Sequence, residues 1–163
     1  MCALTQHLDG VLVVHACFTL SRAEVDDRLA EFGLTPPFWQ EVGQVSTATV
    51  ELSIEYSKAM ALLDSLAKVS QLRFEMTLLP NRDFTGERWV WSPVLGLGSV
   101  QIDASGNHLI GESQLTALVR DCSDNVLKLE RRLRKLMLSD WDDEFEELRE
   151  QKMSRRMRLP RVG

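Results

Sequence analysis

The sequence holds little of what most often carries chemistry: its 163 residues include three histidines, three cysteines and one tyrosine. Cys2, Cys17 and Cys122 are odd in number and lack a framework spacing. That excludes a disulfide scaffold and reads as reduced thiols in a cytoplasmic protein. His7, His15 and His108 are scattered, so no paired zinc-ligand spacing exists, and no metal or other cofactor is implied. No apolar run approaches the ~18 residues of a membrane span. The segment Met1 to His7 has neither the basic nor the apolar part of a signal peptide. A glycine-rich phosphate loop is missing too. Gly96-Leu97-Gly98 lacks a third glycine and leads into strand-like sequence, so it reads as a bulge or bend.

What is present is ordinary for a globular chain: 44% hydrophobic and 26% charged residues. The length suits a single domain, assigned to residues 1–150, with a basic tail at 151–163 expected to fray. The net charge of -5 argues against nucleic acid as the main partner.

Hydrophobic periodicity orders the elements. Gly10 to Phe18 is a short β-branched apolar run, read as a strand buried on both faces. Ser21 and Glu24 have the spacing of a capping box, and Leu20 with Val25 that of a hydrophobic staple. Val25, Leu29 and Phe32 then fall on one helical face, stopped by Gly33. Pro36-Pro37 limits Leu34 to Gln40 to an edge strand or extended loop. Strict alternation from Val45 predicts a strand with one wet face. Ser57 to Val69 returns to helical period, and Leu72 to Leu78 alternates again. Further strands are read at Glu87–Ser92, Ser99–Ala104 and His108–Ile110, with a tight turn at Ser105-Gly106-Asn107. From Glu112 the chain is helical, in three apolar stripes. These are Leu115, Leu118 and Val119; then Val126, Leu129, Leu133 and Leu136; then Trp141, Phe145 and Leu148, begun by Ser139 as a cap. The order predicts an α+β fold: a ferredoxin-like split βαβ unit extended by a β-meander, its antiparallel sheet covered on one side by helices that include the C-terminal ones.

His15 and Cys17 share one face of their strand, where imidazole and thiol could act as a nucleophile pair. Buried cysteine is common as a small hydrophobe, and a core role is the favoured reading. Trp89 and Trp91 also share a face, with Trp39 nearby, and either plug the core or line a pocket. Together, His15, Cys17, Trp89 and Trp91 form the candidate pocket. Asp26-Asp27 and Asp142-Asp143 are about 100° apart on their helices and read as solvated faces, not acid/base pairs.

The C-terminal third alternates charge in blocks: a basic amphipathic stretch at Asn125–Met137, an acidic aromatic one at Trp141–Leu148, then a basic tail. The favoured reading packs Trp141, Phe145 and Leu148 on the sheet while Asp142, Asp143, Glu146 and Glu147 face water. The alternative makes this region a docking surface for another protein, with Arg149, Lys152, Arg155, Arg156 and Arg158 as its candidate residues.

Several strings occur together in order: Leu72-Arg73-Phe74-Glu75-Met76-Thr77, Gly86-Glu87-Arg88, Pro93 with Leu95-Gly96, Gly106 with Leu109 and Glu112, and Trp141-Asp142-Asp143-Glu144-Phe145-Glu146. With them the chain resembles the actinobacterial domain of unknown function 3145 family, over about residues 10 to 149. Gly10-Val11-Leu12-Val13-Val14-His15 is similar to that family's first strand. Arg22-Ala23-Glu24, Val94 and Gly98-Ser99 stand where members carry Cys-Pro-His, Asp and Phe-His, so chemistry that uses those groups is not expected here. The resemblance supplies no activity. It implies a setting near fatty-acid synthesis.

The expectation is therefore a non-enzymatic interaction or regulatory module with a protein partner, accessory to acyl-chain metabolism. The alternative is a small acyl-ligand binder or enzyme with a pocket near His15, Trp89 and Trp91.

Overall fold

The computed structural model describes residues 7–17, 19–42 and 45–156. Seven strands form one sheet: β1 (His7–Ala16), β2 (Gln40–Val42), β3 (Val45–Glu55), β4 (Leu72–Leu78), β5 (Gly86–Ser92), β6 (Gly96–Ile102) and β7 (His108–Leu109). Their spatial order is β2-β3-β1-β4-β5-β6-β7 and every neighbouring pair is antiparallel. Because β3 and β4 both run against β1, they are parallel to each other and β1 lies between them. The helix α2 (Tyr56–Leu66) joins them. This is the split βαβ unit, and β4 to β7 continue it as a meander.

Alternation sorts each strand onto two faces. The first face collects Leu8, Leu12, Val14 and Ala16 from β1, Ala48 to Ile54 at every second position of β3, and Leu72, Phe74, Met76 and Leu78 from β4. Helix α1 (Thr19–Glu31) adds Val25 and Leu29, and α2 adds Ala59, Leu62, Leu63 and Leu66, to close this core. Gly33, at φ +73°, ends α1 in the left-handed conformation.

The capping box expected at Ser21 does not form. Helix α1 begins at Thr19, so Ser21 lies inside it, 5% exposed, with its hydroxyl donating to the Ser70 carbonyl at 3.0 Å. Glu24 instead pairs with Arg28 one turn on, and Leu20 is 85% exposed, so it staples nothing. The side chain was spent on a tertiary contact that local spacing cannot foresee.

Three helices follow the meander: α3 (Glu112–Cys122), α4 (Val126–Leu136) and α5 (Ser139–Arg156). Gln114 accepts a hydrogen bond from the Gly111 amide, and Asn125 accepts one from Lys128 N–H, which fixes the starts of α3 and α4. The expected domain boundary after residue 150 falls within α5. Helix cover is also not confined to one side. α1 and α2 pack on the first face, whereas α5 packs on the second with Val90, Val100 and Ile102 beneath Leu138, Trp141 and Phe145. The stripe expected on α3 is only partly used: Leu118 and Cys122 are buried, while Leu115 and Val119 stay exposed.

Candidate functional site

The second face of the sheet is where sequence and structure meet most closely. Arg73 and Glu75 of β4 and Arg88 of β5 alternate with core residues, a pattern that reads as a wet face. They meet α5 instead. Arg73 Nε donates to Glu144 Oε1 at 2.5 Å. Arg88 donates to Glu75 Oε1 at 2.9 Å and to Asp142 Oδ1 at 2.6 Å. Burial disfavours the Arg88 charge, yet its hydrogen bonds to Glu75 and Asp142 outweigh it and hold the guanidinium more firmly protonated than usual. Trp141 Nε1 donates to the Gly96 carbonyl at 3.0 Å, and its ring is 3% exposed.

Asp143, Glu146 and Glu147 are exposed as expected, Asp143 also pairing with Arg134 of α4, whereas Asp142 is half-exposed and turned to Arg88, and Glu144 is largely covered against Arg73. Trp141, Phe145 and Leu148 do pack on the sheet. Gly98 is no bulge; it sits in regular register opposite Val90. A Cβ there would stand 2.8 Å from Leu138 and 3.1 Å from Trp141, so the glycine makes room for α5.

The four residues of the candidate pocket do not converge. The register pairs His15 with Arg73, and Trp91 with Phe74, so His15 lies on the α5 face and Trp91 on the α1–α2 face. Trp89 shares the Trp91 face by alternation, and Cys17 follows His15. His15 is 7% exposed, its Nδ1 is 3.0 Å from Thr47 Oγ1, and its ring lies 5.7 Å from that of Phe145. Cys17 Sγ is 3.7 Å from Arg73 Nη1. Trp91 stacks on Phe74 at 6.4 Å. Trp39 lies against α1, donating to Asp26 at 2.9 Å. The sheet itself separates the thiol and imidazole from the tryptophans. Among the described residues, no group of three His, Cys, Asp or Glu side chains is placed to hold a metal ion.

Of the candidate interaction residues, the side chains of Arg149, Lys152, Arg155 and Arg156, and all of Arg158, lie outside the described residues. Leu20, Phe38 and Val94 are open singly on the described surface, and a further group of exposed apolar side chains lies on α3 and α4. No residue of α4 is buried. Val126 and Leu127 are 78% and 73% exposed, and Val119 and Leu115 of α3 are open as well.

Two cavities flank these helices. One, of about 500 Å³, is walled by Leu97, Leu118, Leu136, Leu138 and Trp141, with Arg132 and Lys135 among its lining. The other, of about 580 Å³, lies where Tyr56, Glu87, Trp89, Gln101 and Leu109 come together. Sequence reasoning passed over Glu87 and Tyr56. The only signal was a carboxylate on the tryptophan face of its own strand, two residues before Trp89.

No helix among the described residues is long and apolar enough to cross a membrane. No curated protein matches the chain, and no solved structure matches it. A family model described as Protein of unknown function (DUF3145) matches residues 38–159, from Phe38, just before β2, through α5. That span holds every residue of the Arg73–Glu144 and Glu75–Arg88–Asp142 clusters, leaving β1 and α1 before it, and the chain belongs to this family.

Proposed function

We propose that the protein is a cytoplasmic, non-enzymatic interaction module that docks an acidic protein partner on α4. One observation carries the reading: at the start of the amphipathic helix α4, Val126 and Leu127 are 78% and 73% exposed, while Leu129, Leu133 and Leu136 on the same helix are half-buried. Helices gain most of their stability from packing apolar side chains, so the adjoining pair left open at this helix start calls for cover. The same helix carries five basic residues, Lys128, Arg131, Arg132, Arg134 and Lys135, against one acidic residue, Glu130, in a chain of net charge -5. Among the described residues, Arg131 and Lys135 form no ion pair, which leaves them to a partner's carboxylates. Exposed Val126 and Leu127 favour a protein surface over a phosphate backbone, which would make little use of them.

Three thiols without framework spacing support a reducing compartment. The family resemblance suggests acyl-chain metabolism as the setting and actinobacteria as the source, which makes a purified acyl carrier protein the first defined probe. Val126→Asp/Leu127→Asp and Arg131→Glu/Lys135→Glu should each abolish its binding while leaving the melting temperature in place. Undiminished binding by both variants would overturn the reading. Deleting the residues after Arg149 tests the tail separately, and a partner lost only with that deletion moves the docking site there.

A second reading, an acyl-ligand binder, draws on the apolar cavity beside Leu118, Leu138 and Trp141. Thermal-shift screening against acyl thioesters tests it, since a ligand at about 100 times its Kd stabilises by about 2.7 kcal/mol. No shift with any acyl compound removes it.

A further inference from the structure

The carboxylate of Glu87 is unusual among the acidic groups of this protein. Its Oε2 accepts two neutral donors, Tyr56 O–H at 3.0 Å and Trp89 Nε1–H at 3.0 Å. Among the described residues, Oε1 accepts no hydrogen bond and no cation lies within ion-pair distance of Glu87. Other charged groups in the middle of the sheet are paired: Arg73 with Glu144, and Arg88 with Glu75 and Asp142. Glu87 is half-buried and lines the cavity of about 580 Å³. No lysine or arginine lines that cavity. Tyr56, also in its wall, is pushed up to about 12 by burial and by Glu87, so it stays neutral at physiological pH and adds no cancelling charge.

A half-buried carboxylate whose only partners are neutral favours a cation beside it. The indole of Trp89 meets that carboxylate by its N–H edge and lines the same cavity, where Gln101 and Ser99 add acceptors. Leu109 supplies an apolar surface. This combination matches a primary ammonium, which carries three donors and a hydrocarbon stem, better than a quaternary one, which has no donor. At the nearby start of α3 the Gly111 amide donates to Gln114 at 3.0 Å, not to Glu87.

We propose that this cavity binds a small aliphatic primary amine, with its ammonium on Glu87 and its stem on Trp89 and Leu109. The test is calorimetric titration of the full chain with 1,4-diaminobutane at low ionic strength, with the Trp89 indole N–H followed by NMR. Saturable binding that shifts the Trp89 signal is expected, with Glu87→Gln weakening it by about tenfold or more. Glu87→Gln keeps an oxygen to accept from Tyr56 and Trp89, so its urea midpoint should stay near that of the parent. Tetramethylammonium should bind at least about tenfold more weakly than the diamine. Absence of saturable binding would overturn the proposal, as would Glu87→Gln binding within about twofold of the parent. If that variant fails to fold, diamine shifts confined to residues away from Trp89 overturn it equally.

Discussion

Arg88 of β5 and Asp142 of α5 meet at 2.6 Å across 54 residues of sequence, and the same guanidinium holds Glu75 of β4. The contact ties the C-terminal helix to the middle of the sheet. The acidic aromatic block, whose alternative reading in sequence is a docking surface, is at Asp142 and Glu144 the sheet's own counter-charge.

Arg88 has a side chain only 15% exposed, whereas Asp142 is 45% exposed. Truncating the more buried partner strands two carboxylates. Arg88→Ala should therefore destabilise by about 2–3 kcal/mol and Asp142→Ala by about 1 kcal/mol. Urea unfolding of the two single variants and the double variant measures both and their coupling. Equal small effects would contradict a clamp centred on Arg88.

Gly98 and Trp141 should behave as one packing unit. Gly98→Ala places a methyl 3.1 Å from the Trp141 ring and 2.8 Å from Leu138, and should cost about 1–3 kcal/mol. Trp141→Ala should cost about 3–5 kcal/mol by emptying its buried site. In the double variant the costs should not add, because removing the Trp141 ring lifts its contact with the methyl and leaves Leu138 space to shift away. Thermal or urea denaturation of all three proteins tests this.

Tyr56 makes stability depend on alkaline pH. Its folded pKa is raised to about 12, above the unfolded value of 10.0. Below the unfolded value the contribution is fully present; between the two values the unfolded chain ionises first and stability falls. Tyr56→Phe should flatten that decline. A pH series of urea midpoints in parent and variant reads it, and identical slopes would contradict the assignment.

Leu127 should be dispensable to the fold. At 73% exposure, Leu127→Asp should change stability by no more than about 0.5 kcal/mol. A loss of several times that would mean α4 packs more tightly than its exposure indicates.

Much of the fold is legible from alternation alone, because strands such as β3 and β4 bury every second residue without exception. The split βαβ order follows from where the helical periods fall between them. What alternation leaves open is the fate of the polar face. Arg73, Glu75 and Arg88 have the spacing of solvated residues, but they meet Glu144 and Asp142, and a period of two is the same in both cases. Alternation also assigns faces within a strand, not between strands. Spacing puts His15 with Cys17, and Trp89 with Trp91, on a shared face, but only the register of β1, β4 and β5 shows that the two faces are opposite. Glu87 stayed hidden for a related reason: its significance lies in Tyr56, thirty-one residues earlier, and in a cavity that tertiary packing alone creates.

The separation between an internal clamp in α5 and an open surface in α4 is tested most directly by native-state hydrogen exchange. Amides of Asp142 to Phe145 should be protected nearly as strongly as those of β4 and β5, while those of α4 exchange well before global unfolding. Amides of Asp142 to Phe145 exchanging as fast as those of α4 would contradict it, returning the acidic block to the surface.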